Sequence, residues 1–189
     1  HYFQEKKHGR KKALDLLYSR VKILKELGYI KNNALTGKGL FARNIYGYEL
    51  ALSELYSKGM VENLSEIELG ILCAALVFEP KKKSILPSLS KPSRSLRNIT
   101  EATLEQVHKI ERRLGIRPLS KNYFYHLAPC IEAWMRNEPF DRLLRYTDAD
   151  EGEIIRYFRM AIQILREILD TDCSVSLKQR IHRAMPQCP

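Results

Sequence analysis

Cysteine is scarce in this chain, and so are long apolar runs. The four cysteines stand far apart, at positions 73, 130, 173 and 188, and none forms a Cys-x-x-Cys pair. This spacing argues against a zinc site or a disulfide framework and favours a reducing compartment, so we expect a cytoplasmic protein. The longest apolar run, Leu69–Phe78, has ten residues, whereas a membrane-spanning helix needs about 20. We therefore expect a buried core segment there and no membrane partner.

Motifs for catalysis are also missing. Gly37-Lys38-Gly39 lacks the glycine spacing of a phosphate-binding P-loop and the Ser or Thr that follows its lysine. No Gly-x-Ser-x-Gly and no His-Glu-x-x-His occurs. We interpret His108 and His126 as packed side chains, because neither has partners at metal-ligand spacing. The sequence thus predicts no catalytic residue, no metal ligand and no ATPase site in this chain.

Apolar residues at three- and four-residue spacing predict helices along most of the chain, and strands are almost absent. This excludes parallel-sheet folds, including nucleotide-binding α/β cores. The fold class is therefore all-α, a bundle of seven or eight helices with one very short hairpin near the N-terminus, 29–30 against 34–35. The predicted helices cover residues 14–27, 48–57, 66–78, 98–114, 124–135, 140–145, 149–169 and 176–184.

Glycine and proline mark the expected interruptions. Gly37 and Gly39 are expected to break the chain before the second helix. Three prolines among serines and lysines predict an exposed basic linker over residues 80–98. Pro129 removes one backbone hydrogen bond and is expected to kink the helix over 124–135.

Most of the net charge of +10 lies in two short segments. Residues 5–12 hold five basic residues and one acidic residue, and residues 79–97 hold six and one. Both segments are expected to be poorly ordered, and such segments attract polyanions, nucleic acid first, without sequence preference. The alternative is that they only keep the chain soluble. The candidate nucleic-acid-binding residues in them are Arg10, Lys11, Lys12, Lys81, Lys82 and Lys83.

The predicted helix Glu151–Leu169 separates an apolar face from a cationic one. At 100° per residue, one broad face collects Ile154, Ile155, Phe158, Ala161, Ile162, Leu165, Ile168 and Leu169. A separate polar stripe of about 80° of arc is formed by Arg156, Arg159, Gln163 and Arg166. Three guanidinium groups on a helix that is buried on its other side suit a phosphate backbone. The alternative is a solvated face in which Arg166 pairs with a nearby acid.

Several motifs occur together in one order. They are Leu-Lys-x-Leu-Gly-Tyr-Ile at 24–30, Thr-x-Lys-Gly at 36–39, Glu-Leu-x-Leu-x-Glu-Leu at 49–55 and Leu-Ser-x-x-Glu-Leu at 64–69. A tryptophan at 134, Thr-Asp at 147–148 and Glu-Gly-x-x-Ile-Arg at 151–156 follow. Over residues 14–189 the series resembles the DSHCT domain. That domain is the C-terminal region of DExH-box RNA helicases of the superkiller and exosome-cofactor type.

The resemblance implies a helical bundle packed beside two RecA-like motor domains, which would hold the ATP and Mg²⁺. It implies that residues 1–46 end a winged-helix element, carrying the basic N-terminal segment, and that 47–189 form the bundle. In the family the helix after Glu-Gly lies across the nucleic-acid strand near the motor exit, like a ratchet. Met160 and Gln163 stand where the family has a basic residue and then an acid, so Arg156 and Arg159 gain importance. The family's glycine after the tryptophan is missing, and Asn137 stands nearby.

We therefore expect an accessory domain of a superfamily-two helicase that guides single-stranded RNA or DNA past the motor. One alternative is a helical module that docks a nuclease or a ribosomal partner. Its mark would be an exposed apolar patch, with the arginine stripe buried or paired. An unrecognised enzyme is the other alternative, for which the sequence offers no catalytic constellation.

Overall fold

The computed structural model describes residues 2–185, with the side chains of residues 10–11 and 13–185; the candidate side chain of Lys12 lies outside the described residues. The helices are α1 (Tyr2–Glu26), α2 (Gly37–Asn44), α3 (Glu49–Ser57), α4 (Glu66–Val77), α5 (Lys91–Arg113), α6 (Ala128–Met135), α7 (Phe140–Leu143), α8 (Glu151–Leu169) and α9 (Val175–Ala184). Two short 3-10 helices, Val61–Asn63 and Tyr125–Leu127, and one hairpin of β1 (Ile30–Lys31) and β2 (Ala34–Leu35) complete the described part. The predicted all-α class is confirmed.

Helix α4 forms the centre of the bundle. A capping box starts it, because the Ser65 side chain accepts from the Glu68 backbone and the Glu68 carboxylate accepts from the Ser65 backbone. Every residue from Leu69 to Val77 is buried, and α5, α6, α8 and α9 all pack against it. Since a helix that is apolar all round must be covered on every side, the prediction of a central segment is confirmed. Within residues 2–185, no helix is long and apolar enough to cross a membrane.

The hairpin connects directly to a helix that the sequence analysis missed. Its first strand lies one residue later than predicted and its second strand lies where it was predicted, so that Ile30 pairs with Leu35 and Lys31 with Ala34. The prediction that Gly37 and Gly39 break the chain is wrong, because both lie in α2, whose N-terminus is capped by Thr36. Gly39 is required for close packing, because a Cβ atom there would collide with the Tyr29 carbonyl oxygen.

A buried ion pair joins this region to α3. The Lys38 ammonium lies 2.5 Å from Glu54 Oε1 and donates to the Leu27 carbonyl at 2.8 Å. The Tyr29 hydroxyl donates to the same Glu54 oxygen at 2.9 Å, and Lys38 lies over the Tyr29 ring. The lysine of the Thr-x-Lys-Gly motif thus holds the hairpin and α2 against the bundle.

The predicted basic linker is shorter than expected. Helix α5 begins at Lys91, because Ser90 caps it and Pro92 lies in its first turn, where a missing N–H costs nothing. The prediction that the linker reaches residue 98 is therefore wrong. Only about the first half of the segment is irregular, and Asn98, the predicted start of the helix, lies inside α5.

Two further differences concern α6 and its end. Pro129 does not kink a longer helix, as predicted, but lies in the first turn of α6. Asn137 follows that helix with a φ of 62°, a left-handed conformation that Gly and Asn adopt most readily. Asparagine therefore takes the backbone conformation for which the family's glycine is suited.

Candidate nucleic-acid interface

Helix α8 is fixed to the bundle along one side. Asp150 and Glu153 form a capping box at its start, and the helix packs mainly against α4. The apolar face predicted from the sequence is only partly right. Ile155 is 47% exposed, whereas Tyr157 and Ile164, which were not assigned to that face, are buried. The buried side of α8 is the side that faces α4. The spacing of apolar residues did not identify which side that would be.

The predicted cationic stripe lies on the solvent side of α8. Arg156, Arg159, Gln163 and Arg166 are all exposed, and Met160 at their edge is 38% exposed. Among the side chains that the structure describes, no carboxylate lies within ion-pair distance of the three guanidinium groups. The predicted alternative, an ion pair of Arg166 with a neighbouring acid, is therefore not formed within this part of the chain.

Arg156 is the member of the stripe that contacts an aromatic ring. Its guanidinium carbon lies 4.5 Å from the centre of the Tyr157 ring. That ring contacts Phe78, with 4.8 Å between the ring centres, and its hydroxyl donates to the Glu79 carbonyl at 3.4 Å. A guanidinium held against a fixed ring loses less freedom when it meets an anion than a guanidinium on a mobile segment does.

The segment Glu79–Lys83 lies against the first turns of α8. Lys81 pairs with Glu153 at 2.8 Å, and this hydrogen bond raises the pKa of Lys81. A hydrogen bond from Lys121 holds the pKa of Glu79 below its ordinary value, and the charge of Arg156 acts in the same direction. Lys82 and Lys83 are exposed. The lysine cluster 81–83 and the N-terminal end of the stripe thus lie close together. Of these lysines, Lys81 already forms an ion pair with Glu153.

The N-terminal basic residues belong to a different place. The backbone of residues 5–12, a segment predicted to be poorly ordered, lies in α1, where Arg10 and Lys11 are exposed. Neither has a hydrogen bond or ion pair to α8 among the described side chains. Contacts to the bundle lie near the other end of α1, where Ile23 is 2% exposed and Glu26 pairs with Arg113. Arg10 stands about 24 Å along the helix from that pair.

His108 and His126 are packed side chains, as expected from the sequence. His108 is buried, and its Nε2 lies 2.8 Å from the Ser120 carbonyl oxygen. His126 is also buried and stacks on Phe78. Burial lowers the pKa of His126, and Asp148 partly opposes the shift. Both side chains therefore serve the core.

One contact at the other end of the stripe was missed by the sequence analysis. Glu167 Oε2 accepts from the Tyr46 backbone N–H at 3.0 Å, and its Oε1 accepts from Gln163 at 3.4 Å. The loop between α2 and α3 is thereby attached to α8 beside the stripe. The only available signal was the Tyr-Gly pair at 46–47, which indicates a turn without indicating its partner.

The described part of the molecule is an all-α domain with one exposed, mainly unpaired cationic helix face. Comparison with protein families matches residues 32–187 to the DSHCT (NUC185) domain. The chain belongs to this family.

Similar proteins carry the same domain within much longer chains. The ATP-dependent RNA helicase mtr4 of Schizosaccharomyces pombe is 26% identical over 163 residues, which are 83% of this chain and 15% of the helicase. The mRNA transport homolog 4 of Caenorhabditis elegans is 26% identical over 172 residues, 88% of this chain and 17% of its own length. The human exosome RNA helicase MTR4 is 24% identical over 161 residues, 82% and 15% of the two chains. This chain therefore spans about one sixth of these relatives.

Proposed function

We propose that this domain guides single-stranded nucleic acid, RNA in the first place, as the accessory part of an ATP-dependent helicase. The main support is the exposed face of α8 that carries Arg156, Arg159 and Arg166. These three arginines form no ion pair with a carboxylate among the described side chains. Three relatives named as RNA helicases or an mRNA transport homolog support RNA as the ligand. ATP hydrolysis is assigned to motor domains like theirs, which this chain would brace.

The physical argument rests on rigid placement of charge. Phosphate contacts position a strand without reading its sequence, and arginine meets phosphate in a bidentate geometry that lysine does not offer. Tyr157 and Phe158 are buried next to Arg156 and Arg159, so the side of α8 that carries the cations is held by the core. A strand lying along this face meets charges whose separation is set by the helix.

Lys82 and Lys83 extend this surface at the N-terminal end of α8, whereas Lys81 must leave Glu153 before it binds phosphate. The charge of the 79–83 segment is therefore only partly available. Arg10 and Lys11 on α1 remain a separate predicted contact for the same ligand.

A salt titration tests the proposal. The 189-residue chain is titrated with a fluorescent single-stranded decamer at several salt concentrations. Each neutralised phosphate contributes about 0.7 to the log–log slope for single strands, so Arg156→Ala with Arg159→Ala should lower the slope by about 1.4. The matched control is Arg20→Ala with Arg94→Ala, which removes two exposed arginines from α1 and α5. Equal effects of both pairs would show that only the total charge matters.

A second candidate function, docking of a protein partner, is favoured by the outer surface of α1. Leu14, Leu17 and Tyr18 are 44%, 55% and 69% exposed, and they form an apolar strip at helical spacing. An exposed strip of this kind is typical of an interaction surface. Leu14→Lys with Leu17→Lys should abolish co-purification of such a partner and leave strand binding unchanged. Retention of every partner by the double variant would exclude this role.

A further inference from the structure

Tyr46 has the most exposed large apolar side chain among those described. It is 84% exposed, although the residue before it, Ile45, is 2% exposed and Tyr48 is 9% exposed. Both neighbours are anchored in the core cluster. The sequence therefore places an aromatic ring in solvent at a point where the backbone on either side is fixed.

The backbone at Tyr46 is held on α8. Its N–H donates to Glu167 at 3.0 Å, and the next N–H, that of Gly47, donates to Glu49 at 3.0 Å. Gly47 has a φ of 82°, a conformation that allows the sharp turn. Two carboxylates and a turn glycine thus fix the base of the Tyr46 side chain.

This position lies at the edge of the cationic stripe. Glu167 follows Arg166 directly and lies one turn beyond Gln163, to which it is also hydrogen-bonded. At 100° per residue, Glu167 points between Gln163 and Met160, within about 60° of arc. Tyr46 is therefore attached to α8 at the Arg166 end of the stripe, and the partly exposed Met160 lies about 10 Å further along the helix axis.

We propose that Tyr46 is a stacking site for an unpaired base of the strand that the α8 arginines hold. This inference rests on the proposed function, because the phosphates must lie along the stripe for a base to reach the ring. An aromatic face accepts any nucleobase, so the contact is tolerant of sequence. It requires an exposed base face, so the contact selects single strands over duplexes, in RNA and DNA alike.

Two strands with the same phosphates separate stacking from charge. The 189-residue chain is titrated with a fluorescent deoxyadenylate decamer and with an abasic decamer of the same length. Tyr46→Ala should weaken binding of the deoxyadenylate strand by about 5-fold to 150-fold, the range for removing one stacked base. The same variant should change binding of the abasic strand less than about twofold and leave the salt slope unchanged. Tyr46→Trp should bind the deoxyadenylate strand at least as tightly as the parent chain, and its added indole fluorescence should be quenched.

Tyr18→Ala is the matched control, because it removes another exposed tyrosine, on α1. It should leave both affinities unchanged. Equal loss of affinity for both strands in Tyr46→Ala, or no loss for either, would overturn the stacking site. Failure of the proposed function has a different signature, in which Arg156→Ala with Arg159→Ala changes neither affinity. Thermal unfolding of each variant at the parent temperature excludes a folding defect as the cause.

Discussion

Removing the negative charge of Glu54 should destabilise the fold strongly, although this residue lies outside the candidate interface. Glu54 is 7% exposed, and its carboxylate is the partner of Lys38 at 2.5 Å, whose own side chain is only 15% exposed. Glu54→Gln keeps an acceptor for the Tyr29 hydroxyl but leaves the lysine without its counter-charge. Breaking a buried ion pair by removing one partner costs about 3–5 kcal/mol. Because the Gln oxygen still accepts two hydrogen bonds, we expect the lower end, about 3 kcal/mol.

The measurement is urea unfolding followed by circular dichroism, with the free energy of unfolding compared at equal slopes. Glu101→Gln is the matched control, because Glu101 pairs with Arg97 at 2.7 Å while both side chains are well exposed. It should cost less than about 1 kcal/mol. Adding Lys38→Met to Glu54→Gln should restore part of the lost free energy, since the uncompensated cation is removed. A loss below about 1 kcal/mol for Glu54→Gln would refute the assignment of this pair as a buried structural contact.

Three further predictions concern acid stability, a turn and the lysine cluster. Burial lowers the pKa of His126 in the folded chain, so the unfolded chain binds more protons below its pKa of about 6.5. The stabilisation is complete above that pH and is lost as the pH falls through the folded-state pKa; His126→Gln should flatten the acid limb of a plot of unfolding free energy against pH. Asn137→Gly should retain or raise stability, because φ is 62° there, whereas Asn137→Ala should lose about 1 kcal/mol in a urea titration. Lys82→Ser with Lys83→Ser should lower the salt slope of strand binding by about 1.4; an unchanged slope would leave these lysines a solubilising role.

Local signals predicted the elements whose ends are encoded by adjacent residues. The capping box at Ser65 and the glycine at 28, with a φ of 78°, mark helix ends correctly because the cap and its partner are within four residues. The start of α5 was misplaced, because the helix was predicted to begin at Asn98 whereas Ser90 caps it. The choice is made by a distant residue: Glu132 accepts from the Ser90 and Ser93 hydroxyls, each at 2.6 Å. The spacing of residues in the sequence cannot predict a contact between positions about 40 residues apart.

The candidate interface shows the same limit. The arginine stripe follows from helical geometry, and the structure leaves it exposed as that geometry predicts. Pairing of Lys81 with Glu153 and attachment of Tyr46 to Glu167 join residues 72 and 121 positions apart. Such contacts depend on how α8 lies against its neighbours. Sequence reasoning therefore identified the basic residues of the interface. It missed Glu153 and Glu167 as partners and the position of Tyr46 beside α8.

The packing of α2 has a consequence for how the chain opens and closes. Phe41 stacks on Tyr56 of α3 with 3.8 Å between the ring centres, and Phe41 and Ile45 belong to the same continuous core cluster as α4. An eight-residue helix has too little length to persist alone in water, so α2 should exist only while that cluster is intact. In native-state hydrogen exchange, the amides of α2 should therefore open together with those of α3 and α4 as one cooperative unit. The amides of residues 13–18 in α1, whose side chains are all exposed, should exchange before that unit opens.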